Sequence, residues 1–216
     1  MEKSYRQKYK KTQLSYWKNF WYYNRWIIIA VTLVIAALVY FIASCRNMSR
    51  PDATIFYVTK YGISSAAASE IETTYSKYVQ DINNDGKTEV KVIEIVMSDD
   101  LSEGVKSANV SRLNTEIING DSAVIIGEKS LLNPFINLDD YFEIPHSAKY
   151  KTILNKNGKA TALDITDSKF AKMAGYDKKD TLCMLVKGLS DAAKADSLSS
   201  KMWKEGIKIA DAIAAK

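Results

Sequence analysis

Oxygen-bearing side chains recur at alternate positions between residues 81 and 89, a spacing that suits a hard cation. The predicted ligands are Asp81, Asn83, Asp85, the carbonyl of Lys87 and Glu89. They stand at positions 1, 3, 5, 7 and 9 of a loop whose sixth position is glycine, which makes the sharp turn of a calcium loop. The pattern therefore predicts a calcium site.

Position 12 of the same loop departs from the calcium pattern. An EF-hand closes with a bidentate glutamate at this position, but Val92 stands here, and the chain continues as a strand. Calcium would need a further carboxylate, either Glu89 or a distant acid. The alternative interpretation is a helix-to-strand turn built from Asp, Asn and Gly residues, which favour turns through their own hydrogen bonds and backbone freedom.

A second group of polar residues follows three predicted strands and could bind a ligand. Its members are Tyr61, Gly62, Ser98, Asp99, Gly127, Glu128, Lys129 and Ser130. Ligands of open parallel sheets collect beyond the carboxyl ends of the strands, near a reversal of strand order, and glycine and serine at a helix start present N–H groups to an anion. The alternative is that these residues are ordinary caps and turns.

Residues suited to catalysis are scarce, so we predict no enzyme activity. His146 is the single histidine, and Asp139 and Asp140 are adjacent acids in a predicted loop. The sequence contains no nucleophile elbow, zinc-binding helix motif or phosphate loop. Cys183 lies within an apolar run and is expected to be a buried core residue.

Alternating patterns predict the elements that position these residues. Runs rich in β-branched and aromatic residues predict strands at 53–59, 89–97, 122–127, 150–154, 160–165 and 181–187. Helical spacing predicts helices at 64–81, 101–118 (capped by Asp99 or Asp100), 131–140, 168–174 and 191–215. The alternation indicates right-handed crossovers. We therefore predict a three-layer α/β domain with a mainly parallel, mixed sheet.

The net charge of +5 is concentrated at the N-terminus. Residues 1–26 hold seven basic residues and one acid, a net +6, whereas the other 23 basic and 24 acidic residues leave −1. A nearly neutral main domain argues against a nucleic-acid partner, which would require a basic surface.

An apolar run after this leader predicts a membrane span. Residues 27–43 carry no charge, and at about 1.5 Å per residue a helix over 27–44 approaches the ~30 Å hydrocarbon core. Seven bases precede the span and two, Arg46 and Arg50, closely follow it, so the N-terminus is expected in the cytoplasm. The predicted organisation is a leader (1–26), a single transmembrane helix (27–44), a linker (45–52) and an extracellular α/β domain (53–216).

Nine of the 23 aromatic residues lie in the leader. Amphipathic rings settle at the lipid headgroups, and basic residues beside them meet anionic lipid, so membrane lipid is the expected partner. The alternative is a docking helix for a cytoplasmic or membrane-protein partner.

Cys45 ends a short segment, Ile42-Ala43-Ser44-Cys45, that has the residue types of a bacterial lipobox. Cleavage before this cysteine and lipidation of its thiol would anchor the domain by acyl chains. The 26-residue basic region before the apolar run is longer than in most signal peptides and favours an uncleaved span. Either route tethers the domain outside the cell.

Two stretches of the sequence carry a resemblance to a known family. They are Trp17-Lys18-Asn19-Phe20-Trp21-Tyr22-Tyr23 and the Asp-x-Asn-x-Asp-Gly-Lys-x-Glu-Val turn at 81–90 with its flanking helix and strand. Over nearly its whole length the chain resembles uncharacterised membrane-anchored proteins of Firmicutes. The resemblance implies an extracytoplasmic α/β domain in a Gram-positive envelope, similar to one lobe of a solute-binding protein, and brings no established activity. Cys45 is not part of that pattern.

Together these features lead us to expect a membrane-tethered, non-catalytic binding or accessory module. The alternative is a calcium-stabilised structural or interaction subunit of a membrane or cell-envelope complex.

Overall fold

A computed structural model describes residues 2–46, 50–119, 122–138, 142–145, 149–188 and 198–215. In the N-terminal helix, side chains are described at positions 17, 18 and 20–41. The chain divides into two compact units, Met1–Ser49 and Arg50–Lys216. The predicted linker is thus shared between them, with Arg50, Pro51 and Asp52 in the second unit.

The first unit is a single helix, α1 (Glu2–Arg46). Its most apolar stretch, Phe20–Phe41, has a mean hydropathy of 2.0, and none of it is buried. Its 22 residues extend about 33 Å, enough to cross the hydrocarbon core of a bilayer. The Thr32 hydroxyl within this stretch donates to the carbonyl of Ile28 at 2.8 Å, so this polar group is satisfied inside the helix.

The second unit is built on a mixed sheet. Its strands are β1 (Ala53–Thr59), β2 (Val90–Val96), β3 (Val124–Glu128), β4 (Phe142–Glu143), β5 (Thr152–Leu154), β6 (Ala160–Asp164) and β7 (Leu182–Lys187). They are arranged in the order β2-β1-β3-β7-β6-β5, with β4 paired to β7. The pairs of β1 with β2 and β3 are parallel, and the other recorded pairs are antiparallel. The parallel part of the sheet is therefore confined to the first half of the domain.

Helices cover both faces of this sheet. They are α2 (Ser65–Tyr75), α3 (Glu103–Asn119), α4 (Lys129–Ile136), α5 (Lys169–Met173) and α6 (Leu198–Ala214). Residues of α2, α5 and α6 pack with Ile55, Tyr57 and Ile126 on one face, and residues of α3 and α4 pack with Phe56, Val58 and Ile125 on the other. Successive strand residues point to opposite faces, which divides the core in this way. The predicted three-layer α/β architecture with a mixed sheet is confirmed. The sheet is not mainly parallel, however, because four of the six recorded strand pairs are antiparallel.

Several predicted helix bounds differ from the structure. The helix predicted at 131–140 is α4, which begins at Lys129 and ends at Ile136, and residues 139 and 140 lie outside the described residues. The helix α2 ends at Tyr75 and is followed by a 3-10 turn at Ser76–Tyr78, because Val79 is extended and the N–H of Gln80 donates to Glu205 of α6 at 2.9 Å. The helix α3 begins at Glu103, so the expectation that Asp99 or Asp100 caps it was wrong. For the predicted helix at 191–215, residues 191–197 lie outside the described residues, and α6 covers the rest up to Ala214.

Candidate functional site

A cavity of about 240 Å³ lies at the carboxyl ends of β1 and β3. The strand order reverses between these two strands, since β2 lies on one side of β1 and β3 on the other. The chain leaves β1 for α2 on one face and leaves β3 for α4 on the other, so the segments that follow diverge and open a crevice. The lining residues are Tyr57, Thr59, Tyr61, Gly62, Glu128, Ala174, Gly175, Tyr176, Asp177 and Lys179.

Three of the residues predicted from strand ends line this cavity: Tyr61, Gly62 and Glu128. Gly62 has a φ of +81°, and a Cβ at this position would lie 3.0 Å from Glu94 Oε1. The same Glu94 oxygen accepts a hydrogen bond from the N–H of Ile63 at 2.6 Å. Glycine thus permits the turn after β1, and Glu94 ties that turn to β2.

The other predicted residues at strand ends do not line the cavity. Ser98 and Asp99 follow the edge strand β2, where the Ser98 hydroxyl accepts from the N–H of Asp100 at 3.3 Å. The N–H of Lys129 donates to the carbonyl of Thr181 at 2.8 Å, and that of Ser130 donates to Asp180 Oδ2 at 2.9 Å. These groups serve as turn and start-of-helix contacts, as the alternative interpretation predicted.

Gly127, another of the predicted ligand-binding residues, has a packing role within the sheet. A Cβ on Gly127 would lie 2.6 Å from the carbonyl oxygen of Val58 and 2.9 Å from its Cβ. Both atoms belong to β1, the neighbouring strand in the middle of the sheet. Glycine at 127 therefore allows β1 and β3 to approach closely on the face of the sheet that α3 and α4 cover.

The floor of the cavity combines a buried carboxylate with neutral hydrogen-bond donors. Glu128 is 6% exposed, and its Oε1 accepts hydrogen bonds from the Thr59 hydroxyl (3.5 Å) and the N–H of Lys60 (3.2 Å). The Thr59 hydroxyl in turn accepts from the N–H of Tyr61 at 3.3 Å. Strand alternation directs Tyr57, Thr59 and Glu128 to one face of the sheet. The arrangement places a negative charge at the base of a small pocket.

Two tyrosines beside this carboxylate are held in the neutral form. Burial, reinforced by the charge of Glu128, raises the pKa of Tyr57 to about 12. The same two causes raise the pKa of Tyr176, whose hydroxyl donates to the carbonyl of Asp180 at 2.9 Å. Both hydroxyl groups therefore keep their protons at neutral pH and well above it.

The mouth of the cavity carries an ion pair and a cation–π contact. Lys179 Nζ lies 2.8 Å from Asp177 Oδ2 and 5.2 Å from the centroid of the Tyr61 ring. The hydrogen bond from Lys179 lowers the pKa of the Asp177 carboxyl, and the same bond raises the pKa of Lys179. Both side chains are exposed to solvent, so the ion pair contributes little to the stability of the fold. Its main effect is to fix the positions of these two side chains at the opening of the cavity.

Most of the cavity residues that sequence reasoning missed come from the segment after α5. Residues 174–177 and Lys179 lie more than 40 positions from Glu128 along the chain, and their pattern of glycine, aromatic and charged residues resembles any surface turn. A local signal existed for Tyr57 and Thr59, because they are polar-tipped residues at alternate positions near the carboxyl end of a strand that is buried throughout.

The predicted calcium residues lie together in a loop, where their oxygens bond to the loop's own backbone. Asp81 accepts from the N–H groups of Asp85 (3.3 Å) and Gly86 (2.8 Å), Asn83 Oδ1 accepts from Asp85 (2.9 Å), and Asp85 Oδ1 accepts from Lys87 (2.9 Å). Within the described residues, no group of three or more His, Cys, Asp or Glu residues is placed to hold a metal ion. The hydrogen bonds match the turn rich in Asp and Asn, and calcium binding stays a prediction.

The side chain of Asp52 accepts hydrogen bonds from both ends of this loop. This side chain is fully buried; Oδ1 accepts from the N–H of Ile82 at 2.9 Å, and Oδ2 accepts from the N–H of Glu89 at 2.8 Å. Asp52 was predicted to belong to the linker, because nothing in the neighbouring sequence marks it as buried. The structure makes it a fixed part of the domain.

Aromatic and basic side chains of the leader lie close together on α1. The Arg25 guanidinium lies 5.6 Å from the Tyr22 ring and 5.8 Å from the Trp26 ring, and Trp17 packs edge-to-face with Phe20 at 6.0 Å. Such pairing of rings and cations is typical of a helix segment at the headgroup level of a membrane.

Of the remaining predicted residues of chemical interest, the structure describes the side chain of Cys183. Cys183 is buried, as expected, and burial raises the pKa of its thiol to about 12, so it is unreactive at neutral pH. His146, Asp139, Asp140 and the side chain of Cys45 lie outside the described residues.

Comparison with known proteins gives no relative for this chain: no family model, no curated protein and no solved structure matches it.

Proposed function

We propose that the protein is a membrane-anchored binding module whose α/β domain holds a small ligand in the cavity between β1 and β3. The observation that carries this proposal is a pocket at the reversal of strand order with a buried carboxylate at its floor. Polar groups fixed inside a small pocket are what a specific ligand site requires. In this proposal the pocket binds its ligand and catalyses no reaction.

The proposed topology places this domain outside a Gram-positive cell. Phe20–Phe41 is long enough and apolar enough to span a bilayer, and the basic residues are concentrated on its N-terminal side. Because basic flanks remain in the cytoplasm, the leader is inside and the domain is outside. The rings and cations of the leader then contact the inner headgroups, with a membrane protein as the alternative partner.

The Cys45 thiol offers a second mode of anchoring in this proposal. Cleavage before Cys45 followed by lipidation would remove α1 up to Ser44 and leave the domain on acyl chains. The intact mass of the protein extracted from its native membrane distinguishes the two modes. We expect the uncleaved chain, and a mass that begins at a modified Cys45 would overturn this expectation.

The test of ligand binding is native mass spectrometry of the full chain in lipid nanodiscs after incubation with a metabolite extract. We expect wild-type protein to retain a small molecule that Ala174→Trp, which fills the cavity, does not retain. The matched control is Ala108→Trp on the exposed side of α3, which leaves retention intact. Equal retention by wild type and by a folded Ala174→Trp variant would remove the cavity as the site.

A second candidate function is a calcium-stabilised structural or interaction subunit of an envelope complex. The supporting observation is that Asp81, Asn83 and Asp85 gather their oxygens in one loop whose ends are fixed by buried Asp52. Hard oxygen donors of this kind are what calcium prefers, although it takes six to eight of them. The thermal unfolding experiment in the Discussion tests this function.

A further inference from the structure

The cavity contains a buried negative charge whose partners are uncharged. Within the described part of the chain, Glu128 accepts hydrogen bonds from a hydroxyl (Thr59) and a backbone N–H (Lys60), and forms no ion pair. The ammonium that lines the cavity, that of Lys179, is paired with Asp177 at 2.8 Å. A buried carboxylate is costly to keep without a countercharge, so a cation in the cavity would be strongly favoured.

The walls of the cavity are suited to the same kind of ligand. Tyr57, Tyr61 and Tyr176 line it, and the negative faces of aromatic rings attract cations within about 6 Å. The chain already uses one of these rings in this way, because Lys179 Nζ lies 5.2 Å from the Tyr61 centroid. A ligand ammonium seated deeper in the pocket would meet Tyr57 and Tyr176 as well as Glu128.

From these contacts we infer that the ligand is a small organic cation with an alkylammonium group, held by Glu128 and the three tyrosines. The inference rests on the proposed binding function and specifies its ligand class. The volume of about 240 Å³ is below the ~300–1,000 Å³ of sites for drug-sized ligands, so the occupant is small. An anion would meet two carboxylates, and a neutral molecule would leave Glu128 without a countercharge.

The test uses three probes of similar shape and different charge on the full chain in lipid nanodiscs. Choline is the cation, 3,3-dimethylbutan-1-ol is its neutral analogue, and 3,3-dimethylbutanoate is the anion. Isothermal titration calorimetry is expected to show choline binding at least tenfold more tightly than the alcohol, with no binding of the anion. Equal binding of the alcohol, preferential binding of the anion, or binding of none of the three would overturn the inference.

Two substitutions locate the cation within the cavity. Glu128→Gln keeps the shape and hydrogen-bond acceptor but removes the charge, and is expected to weaken choline binding at least tenfold. Lys179→Met removes the chain's own ammonium from Tyr61 and is expected to tighten choline binding severalfold. Its matched control is Lys178→Met, an adjacent lysine outside the lining, which leaves the affinity unchanged. An unchanged affinity in a folded Glu128→Gln variant would contradict the role of Glu128.

Failure of this inference and failure of the proposed function give different results. If a neutral or anionic metabolite is retained by wild type and lost in Ala174→Trp, the cavity is a binding site but the ligand is not a cation. If the cavity-filling variant changes nothing, both the ligand class and the site are wrong.

Discussion

The carboxylate of Glu128 accepts a hydrogen bond from the N–H of Lys60 at 3.2 Å and so joins the ends of β3 and β1, 68 residues apart. The same oxygen also accepts from the Thr59 hydroxyl. One side chain therefore fixes the turn after β1 and supplies the charge of the cavity. The hydrogen bonds need only an acceptor oxygen, whereas the charge needs the carboxylate. Substitutions of Glu128 can therefore change the stability of the domain and the affinity for a ligand separately.

Replacing Glu128 with leucine is expected to lower the unfolding free energy by roughly 1–3 kcal/mol, because the donors of Lys60 and Thr59 lose their buried acceptor. Glu128→Gln retains an acceptor oxygen and is expected to lower the unfolding free energy by a smaller amount. Urea unfolding of the full chain in nanodiscs, followed by tryptophan fluorescence, measures both. Equal stability of wild type and Glu128→Leu would show that these hydrogen bonds contribute nothing.

Gly127→Ala is expected to destabilise the domain by roughly 1–3 kcal/mol, since the new Cβ would meet the backbone and side chain of Val58 at 2.6 and 2.9 Å. The control is Gly104→Ala in α3, where a Cβ has open space. Alanine favours the helix there, and the expected gain is up to about 1 kcal/mol. Thermal midpoints of the two variants should move in opposite directions, and a shift in the same direction would contradict the packing account.

Calcium is expected to raise the thermal midpoint of the full chain if the loop at 81–89 binds it, since a ligand of the native state adds about 2.7 kcal/mol at a hundredfold excess over Kd. Magnesium at the same concentration is the control. It should raise the thermal midpoint less than calcium does, because magnesium demands a tighter octahedral geometry. Asp81→Asn should reduce the calcium effect. A midpoint that is identical in millimolar calcium and in EDTA would eliminate the calcium-stabilised function.

The unfolding free energy is expected to fall at alkaline pH, because the buried Tyr57 side chain keeps its proton in the folded state. The unfolded chain releases the tyrosine proton near pH 10, whereas Tyr57 retains it in the folded state until about pH 12. In that interval the folded state binds more protons than the unfolded state, so the unfolding free energy decreases as pH rises from 10 to 12. Unfolding curves at several pH values measure the slope, and Tyr57→Phe should make it shallower. An unaltered slope in that variant would assign the effect to other groups.

Protease treatment of intact cells is expected to digest the α/β domain and to leave an epitope tag at the N-terminus protected. The physical reason is the seven basic residues before the span, which resist transfer across the membrane. Permeabilised cells, in which the tag must also be digested, serve as the control. A tag that is cleaved in intact cells would reverse the proposed orientation.

The amino-acid sequence alone determined the features that depend on local periodicity. The apolar stretch of α1 follows from an unbroken run of uncharged residues, and β1, β2 and β3 follow from β-branched and aromatic runs bounded by turns. Tyr61, Gly62 and Glu128 were predictable as lining residues of a cavity because the carboxyl ends of parallel strands meet at one edge of a sheet, although the same rule also named five residues that do not line it.

The tertiary structure decided which distant segments complete the site. Pairing of β7 with β3, and of β6 with β7, brings the segment after α5 against the end of β1, and no local pattern encodes that contact. Burial of Asp52 likewise depends on N–H groups at 82 and 89 that are 30 or more residues away. Hydrophobic spacing specifies which face of an element is buried, but the partner of a polar group is set by chain topology, which exists only in the assembled fold.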